Sequence, residues 1–279
     1  MHQKTNFRRF YLDISGFSSA EFRMHHALSH HPFTNTTLDA EMNSLLPNIN
    51  FFPAKKSMQD RLVAGLTLVV ACTVAIPLKQ CQRVVKIALG TWPGDFEDKV
   101  AQVIPLFQLI LLANFTLMSE SLGRAVGLLL LMQAATSSFF LWLNFISGPH
   151  FNDECWHQGD TLDSTDWGIL QVQTSVERSE LPSAENITPI NLFNTLTFGL
   201  HQLHHLFPTI DAVHLTTLVP LFEEHCREHG VLFITMSNAA LAAGLWRCII
   251  SAYEVPNLRT RNGIHCVPRS KAIMKGSKY

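Results

Sequence analysis

Two groups of histidines stand far apart in this chain, MHHALSHHPFTN near the N-terminus and GLHQLHHLFPTID downstream, with three long stretches lacking any charged side chain between them. In the downstream group His201, His204 and His205 are spaced i, i+3 and i+4, which on a helix sets three imidazoles on one narrow face. In the upstream group His26 and His30 are one helical turn apart and His31 follows at once. Pro32 then discourages the helix from continuing. A lone His150 lies between the groups in WLNFISGPH. Imidazole is a borderline-soft ligand suited to iron, zinc, copper or nickel, so the spacing points to a metal without choosing it. A fold that uses both groups for one site must bring them to the same side of whatever the apolar stretches form.

Those stretches are Leu62–Leu78, Ala101–Met118 and Ala125–Ser147, of 17, 18 and 23 residues. About 20 apolar residues cross a ~30 Å hydrocarbon core. A chain of 279 residues with 47% hydrophobic side chains and a net charge of −1 would suit a soluble domain if these residues were dispersed; their clumping points instead to an integral membrane protein. A shared metal site then requires an even number of crossings, and two is the sensible number. Arg8, Arg9, Arg23, Lys55, Lys56 and Arg61 favour a cytosolic N-terminal part. Lys79, Arg83, Lys86 and Lys99 favour a cytosolic loop after the first stretch, leaving the second and third as the hairpin. The other choice, first and second crossing, leaves the third to carry Asn144 and His150 towards the site.

Six cysteines are scattered without a CxxC pair, which argues against a zinc ribbon or a disulfide framework and fits a reducing compartment. The N-terminus has no apolar signal-peptide core. Balanced charge gives no footing for nucleic acid. The basic C-terminal end reads as a solvated tail, and Val231–Ile250 as an amphipathic to apolar segment able to lie at a membrane interface. Trp142 and Trp156 read as interface anchors. No glutamate sits inside either histidine group as HExxH would require, which disfavours a zinc-dependent hydrolase.

HHALSHHPFTNTTLDAE resembles the second histidine box of membrane fatty acid desaturases, GLHQLHHLFPTID resembles their third, and DSTDWGILQVQTSVE resembles the stretch before it. The likeness runs over residues 24–230, with the membrane segments within 62–147, leaving 1–23 and 231–279 as flanks. Within the family it is nearest to the insect cytochrome b5-related lineage. The resemblance implies an all-α integral membrane protein of the endoplasmic reticulum, a helical bundle under a cytosolic histidine-rich cap. It further implies a di-iron centre that uses O2 and electrons from cytochrome b5 to place a double bond in a fatty acyl chain of a membrane lipid. Carried over by motif, the metal ligands are His26, His30, His31, His150, His201, His204 and His205. Asn144 falls near a water-holding asparagine of the family, and Asp39, Asp163, Asp166 and Asp211 are candidates to orient the imidazoles.

The family pattern also opens with a transmembrane hairpin and an HxxxH box, whereas the only histidine here before His25 is His2. The expectation is therefore an N-terminally truncated desaturase with an incomplete iron site. An acyl hydroxylase and a non-catalytic remnant of the fold are the alternatives. His2, His157, His214, His225, His229 and His265 read as surface or structural residues.

Overall fold

The computed structural model describes residues 10–14, 17–52, 55–91, 106–141, 148–152, 155, 166–179, 188–189, 194, 199–231 and 233–250. The chain divides into two compact units. One combines the residues up to Ser29 with Gly65–Asn144; the other combines His30–Ala64 with the chain from Phe145 onward.

The first unit opens with two short helices, α1 (Phe10–Ile14) and α2 (Ser19–Phe22). Ser18 caps α2 by accepting from the Glu21 amide at 3.1 Å. A π-helical segment, Arg23–His30, follows and leads into α3 (His31–Phe33), where Pro32 occupies the first turn. A proline is tolerated there because the first-turn N–H groups lack intrahelical partners, and the helix runs past it to end at Phe33.

Helix α4 (Met58–Ala88) starts with a reciprocal cap: the Ser57 amide donates to Asp60 Oδ2 (3.0 Å) and the Asp60 amide to Ser57 Oγ (3.1 Å). It carries Pro77, and its two halves, Met58–Ala71 and Thr73–Ala88, meet at 76°. The proline ring crowds the carbonyl four residues back, at Thr73, where the second half begins. The sequence-based expectation placed Lys79, Arg83 and Lys86 in a loop; they lie on this helix instead. Arg83 is buried and donates to Asp13 Oδ1 (2.9 Å) and to the Phe17 carbonyl (3.2 Å), and Lys86 bonds Glu21 at 2.5 Å. For Arg83 and Lys86 partnering explains the charge, while Lys79 is exposed.

Helices α5 (Leu106–Ser119) and α6 (Leu122–Leu141) pack together as a hairpin that turns at Glu120, whose φ is 52°. Thr116, Ser119, Thr136 and Ser137 each turn the hydroxyl back onto the carbonyl four residues earlier, at 2.6–2.8 Å. The Gln133 amide donates to Gln80 and Gln108 at 3.1 and 3.2 Å. Ser137 Oγ also accepts from the Ile76 amide at 3.0 Å. Polar groups are thereby satisfied inside the unit while Leu109, Leu117, Met118, Leu130, Leu131 and Phe139 stand exposed. Among the described residues one helical stretch, Leu122–Phe140, is long and apolar enough to cross a membrane, and the two halves of α4 taken as one broken span would be a second.

The second unit is built from short helices: α7 (Trp167–Gln173), α8 (His201–Leu206), α9 (Ala212–Leu215), a 3₁₀ turn (Thr216–Leu218), α10 (Val219–Glu228) and α11 (Asn238–Ile250). The expected all-α composition needs one addition. Two-residue strands β1 (Glu177–Arg178) and β2 (Thr235–Met236) pair in parallel, Glu177 opposite Thr235 and Arg178 opposite Met236. Around that pair Cys155, Val176, Ile234, Met236 and Leu241 form a core. Leu200, Leu203 and Leu215 form another beneath α8.

In α11 the buried residues are Leu241, Gly244, Leu245, Cys248 and Ile249, a stripe at helical spacing. That face is turned to protein, whereas the sequence suggested a membrane interface. Gly244 fits because Asn152 lies against it: a Cβ there would come within 2.1 Å of Asn152 Nδ2.

Candidate metal centre

Within the second unit, helix α8 enters through Leu200 in the left-handed region (φ 58°). Glu177 lies where the first amides of α8 lack intrahelical partners, and it accepts from the Gln202 amide at 3.3 Å. Burial pushes its carboxyl up to about 7, against the pull of the backbone amides of Arg178, Gln202, Leu200 and His201. Gln202 donates to the carbonyls of Val172 and Ser175, both at 2.9 Å. These bonds fix the rotation of α8, and with it the direction of His201 and His205.

Three imidazole nitrogens converge there. Nε2 of His150 lies 2.5 Å from Nε2 of His201 and 2.8 Å from Nε2 of His205, and the last two are 3.2 Å apart. His30 completes a buried group of four whose ligating atoms all lie within 4.8 Å of one another. Its ring sits 4.5 Å from that of His150 and 4.9 Å from that of His205.

The outer nitrogens set the tautomers. His150 Nδ1 lies 2.8 Å from the Thr174 carbonyl, which can only accept, so the proton is on Nδ1 and Nε2 presents a lone pair. Gln171 donates from Nε2 to the His31 carbonyl (3.1 Å), which turns its Oε1 towards His205 Nδ1 at 2.8 Å. His205 is thus also protonated on Nδ1. Its pKa is held well below the usual imidazole value by burial and then by the neighbouring His150, His201, His30 and His31, so it stays neutral. His30 Nδ1 lies 2.8 Å from Asp39 Oδ2, leaving Nε2 to face the group. Burial pushes the His30 pKa down, but Asp39 and Glu41 outweigh that and raise it.

Lone pairs aimed at one another repel. A shared proton relieves one pair of them, whereas a cation among them relieves all. The donor set therefore fits a transition metal held by imidazoles, with His30, His150 and His205 oriented through the other ring nitrogen.

His31 and His204 extend the cluster. The His31 ring stands 4.4 Å from that of His205 and 5.1 Å from that of His204. His204 is half-buried beside the buried His201 and His205, as the i, i+3, i+4 spacing requires. Six of the seven sequence-predicted ligands thus gather in one unit. His26 belongs to the other, where its ring stacks on Phe22 at 4.6 Å.

Of the carboxylates expected to orient imidazoles, Asp39 does so. Asp166 instead caps α7, accepting from the amides of Gly168 (2.8 Å) and Ile169 (3.1 Å), and Asp211 caps α9. A short polar side chain just before a helix is a cap first. Asp163, Asn144, Trp142, Trp156, His157, His2 and His265 lie outside the described residues. Gln171, Thr174 and Glu177 were not foreseen as supports. Their one sequence signal was their place in DSTDWGILQVQTSVE, whose likeness carried no role for them.

Comparison with known proteins gives the family. The chain is 29% identical to the cytochrome b5-related protein of Drosophila melanogaster over 239 residues, which cover 81% of this chain and 52% of that protein. It is 30% identical over 91 residues to acyl-lipid (8-3)-desaturase B of Dictyostelium discoideum, covering 33% of this chain and 18% of that protein. The chain therefore spans about half the length of the first relative and about a fifth of the second. No solved structure gives a significant match. The fatty acid desaturase family model matches residues 2–237, and the chain belongs to that family.

Proposed function

We propose that this chain carries the iron-binding part of an acyl-lipid desaturase, acting on a fatty acyl chain at the cytosolic face of the endoplasmic reticulum membrane. The observation that carries the reading is the convergence of three imidazole Nε2 atoms within 3.2 Å, each belonging to a buried histidine. In this reading His30, His150, His201 and His205 hold one iron. His31 and His204 contribute to a second, and His26 stays a candidate ligand by motif alone.

Iron held there supplies the oxidising power to take hydrogen from an unactivated methylene, which no side chain can provide. The overall reaction balances as loss of two hydrogens from adjacent methylenes, with O2 reduced to two waters by those hydrogens, two electrons and two further protons. Cytochrome b5 is the proposed electron donor. The protein's own contribution is placement. Asp39, Gln171 and the Thr174 carbonyl keep His30, His205 and His150 in the metal-binding tautomer, and burial keeps bulk water from the ligands. The apolar surfaces of α4, α5 and α6, with hydroxyls turned inward, suit contact with lipid.

The test is expression in a yeast strain lacking its own desaturase, with fatty acid methyl esters analysed by mass spectrometry and iron measured on purified protein. Iron in the parent and its loss in His201→Ala and His205→Ala are expected, with a new double bond in cellular lipid, lost in the same variants, when the chain is joined to a desaturase hairpin that carries the HxxxH box. Iron and product that survive both substitutions would sink the assignment.

A further inference from the structure

A separate group of metal-ligating side chains lies on the last turn of α10. His225 and His229 are spaced i, i+4 and Glu228 stands between them, all three exposed, with one ligand atom from each lying within 4.8 Å of the others. The two rings are 4.1 Å apart at their centroids.

The site is built rather than merely crowded. His229 Nδ1 lies 3.0 Å from the His225 carbonyl, so the proton is on Nδ1 and Nε2 carries the lone pair. The turn is fixed by backbone bonds from the His229 amide to the His225 carbonyl (3.1 Å) and from the Val231 amide to the Cys226 carbonyl (2.8 Å). Gly230 ends the helix at φ 64°. Cys226 is buried, which anchors the helix beside the pair, while the two histidines stand in solvent. The position is the negative end of the helix dipole, and Glu223, Glu224 and Glu228 outnumber Arg227 along the same turns.

We propose that His225, Glu228 and His229 form a surface site for a late divalent transition cation such as Zn2+, independent of the buried histidine centre and of the desaturase reading. Two imidazoles and a carboxylate suit zinc, nickel or copper. On one face of a helix they leave further coordination positions open to water or to an incoming ligand. Binding there ties the last turn of α10 shut and stabilises the folded state in proportion to occupancy.

The experiment is a Zn2+ titration by calorimetry of the full iron-loaded chain in nanodiscs, against His225→Ala/His229→Ala and Glu228→Gln. The parent should take up one more zinc per chain than the double variant. Glu228→Gln should bind that zinc on the order of tenfold more weakly, and iron content should be equal in all three. Equal zinc uptake by parent and double variant would overturn the proposal. So would a free synthetic peptide of residues 219–231 binding zinc as tightly as the folded protein, since the turn would then contribute nothing.

Discussion

Nδ1 of His30 and Oδ2 of Asp39 lie 2.8 Å apart, with both side chains closed off from solvent. Asp39 also accepts from the amides of Asn35 (3.0 Å), Glu41 (3.0 Å) and Met42 (3.1 Å), so one carboxylate closes the turn after the second histidine box and aims a ligand. Replacing Asp39 by Asn should weaken iron binding by about 10–100-fold, the usual effect of removing a ligand's supporting partner. Iron retained per chain after dialysis against a graded chelator series measures this. Retention equal to the parent's would remove Asp39 from that role.

Gln171 touches three parts of the site: its Oε1 faces His205 Nδ1 (2.8 Å) and accepts from Thr34 Oγ1 (3.0 Å), and its Nε2 donates to the His31 carbonyl. Gln171→Leu leaves buried polar groups behind, at a cost of about 1–3 kcal/mol each. Gln171→Glu keeps the acceptor for His205 but replaces the donor to the His31 carbonyl by a carboxylate oxygen. The expected order of iron content and melting temperature is parent, Glu, then Leu, read by metal analysis and thermal unfolding. A Leu variant as good as the Glu variant would contradict the tautomer assignment.

Gly244→Ala should destabilise the second unit by roughly 1–3 kcal/mol, because the added methyl overlaps the buried Asn152 amide. Combining it with Asn152→Ala should recover part of the loss if overlap is the cause. Thermal unfolding of the single and double variants separates overlap from a general intolerance of change in α11.

Asp13 and Arg83 form a buried ion pair at 2.9 Å in the first unit. Truncating Asp13 to Ala strands the guanidinium and should cost about 3–5 kcal/mol. Burial raises the Asp13 pKa above 3.8, against the pull of Ser19 and Arg83. A raised carboxyl binds its proton more tightly when folded, so its contribution is full below pH 3.8 and declines as pH climbs through the folded pKa. Melting temperature against pH should show that decline in the parent, and Asp13→Asn should lack it. Identical profiles would exclude Asp13 as its source.

How far the sequence reached is clearest at α8. HQLHH needs only helical periodicity to place three imidazoles on one face, and that local constraint holds. Pro32 does not stop the helix after His31: it stands in the first turn of α3, where a missing N–H is tolerated, and the helix runs on to Phe33. The apolar stretch at 62–78 is helical for similarly local reasons, and so are the described parts of the stretches at 101–118, from Leu106, and 125–147, through Leu141. The end of the first was misplaced. Charge at Lys79 and Arg83 breaks an apolar run but not a helix, and the buried Asp13 that accepts Arg83 stands 70 residues away.

Tertiary structure alone decided which groups support the ligands. Asp39, Asp166 and Asp211 look alike in sequence, each close to a histidine box or its preceding stretch, yet one orients an imidazole and two cap helices. A carboxylate takes the nearest unsatisfied donor, and the path of the backbone determines which donor that is. Gln171 and the Thr174 carbonyl carry no local signature, because an amide or a peptide oxygen becomes a tautomer-setting partner only when folding brings a histidine from 24 or 34 residues away against it. The sequence by itself determined the donor atoms and their spacing along each element. Their convergence, and the direction in which each lone pair points, were decided by contacts between residues distant in the chain.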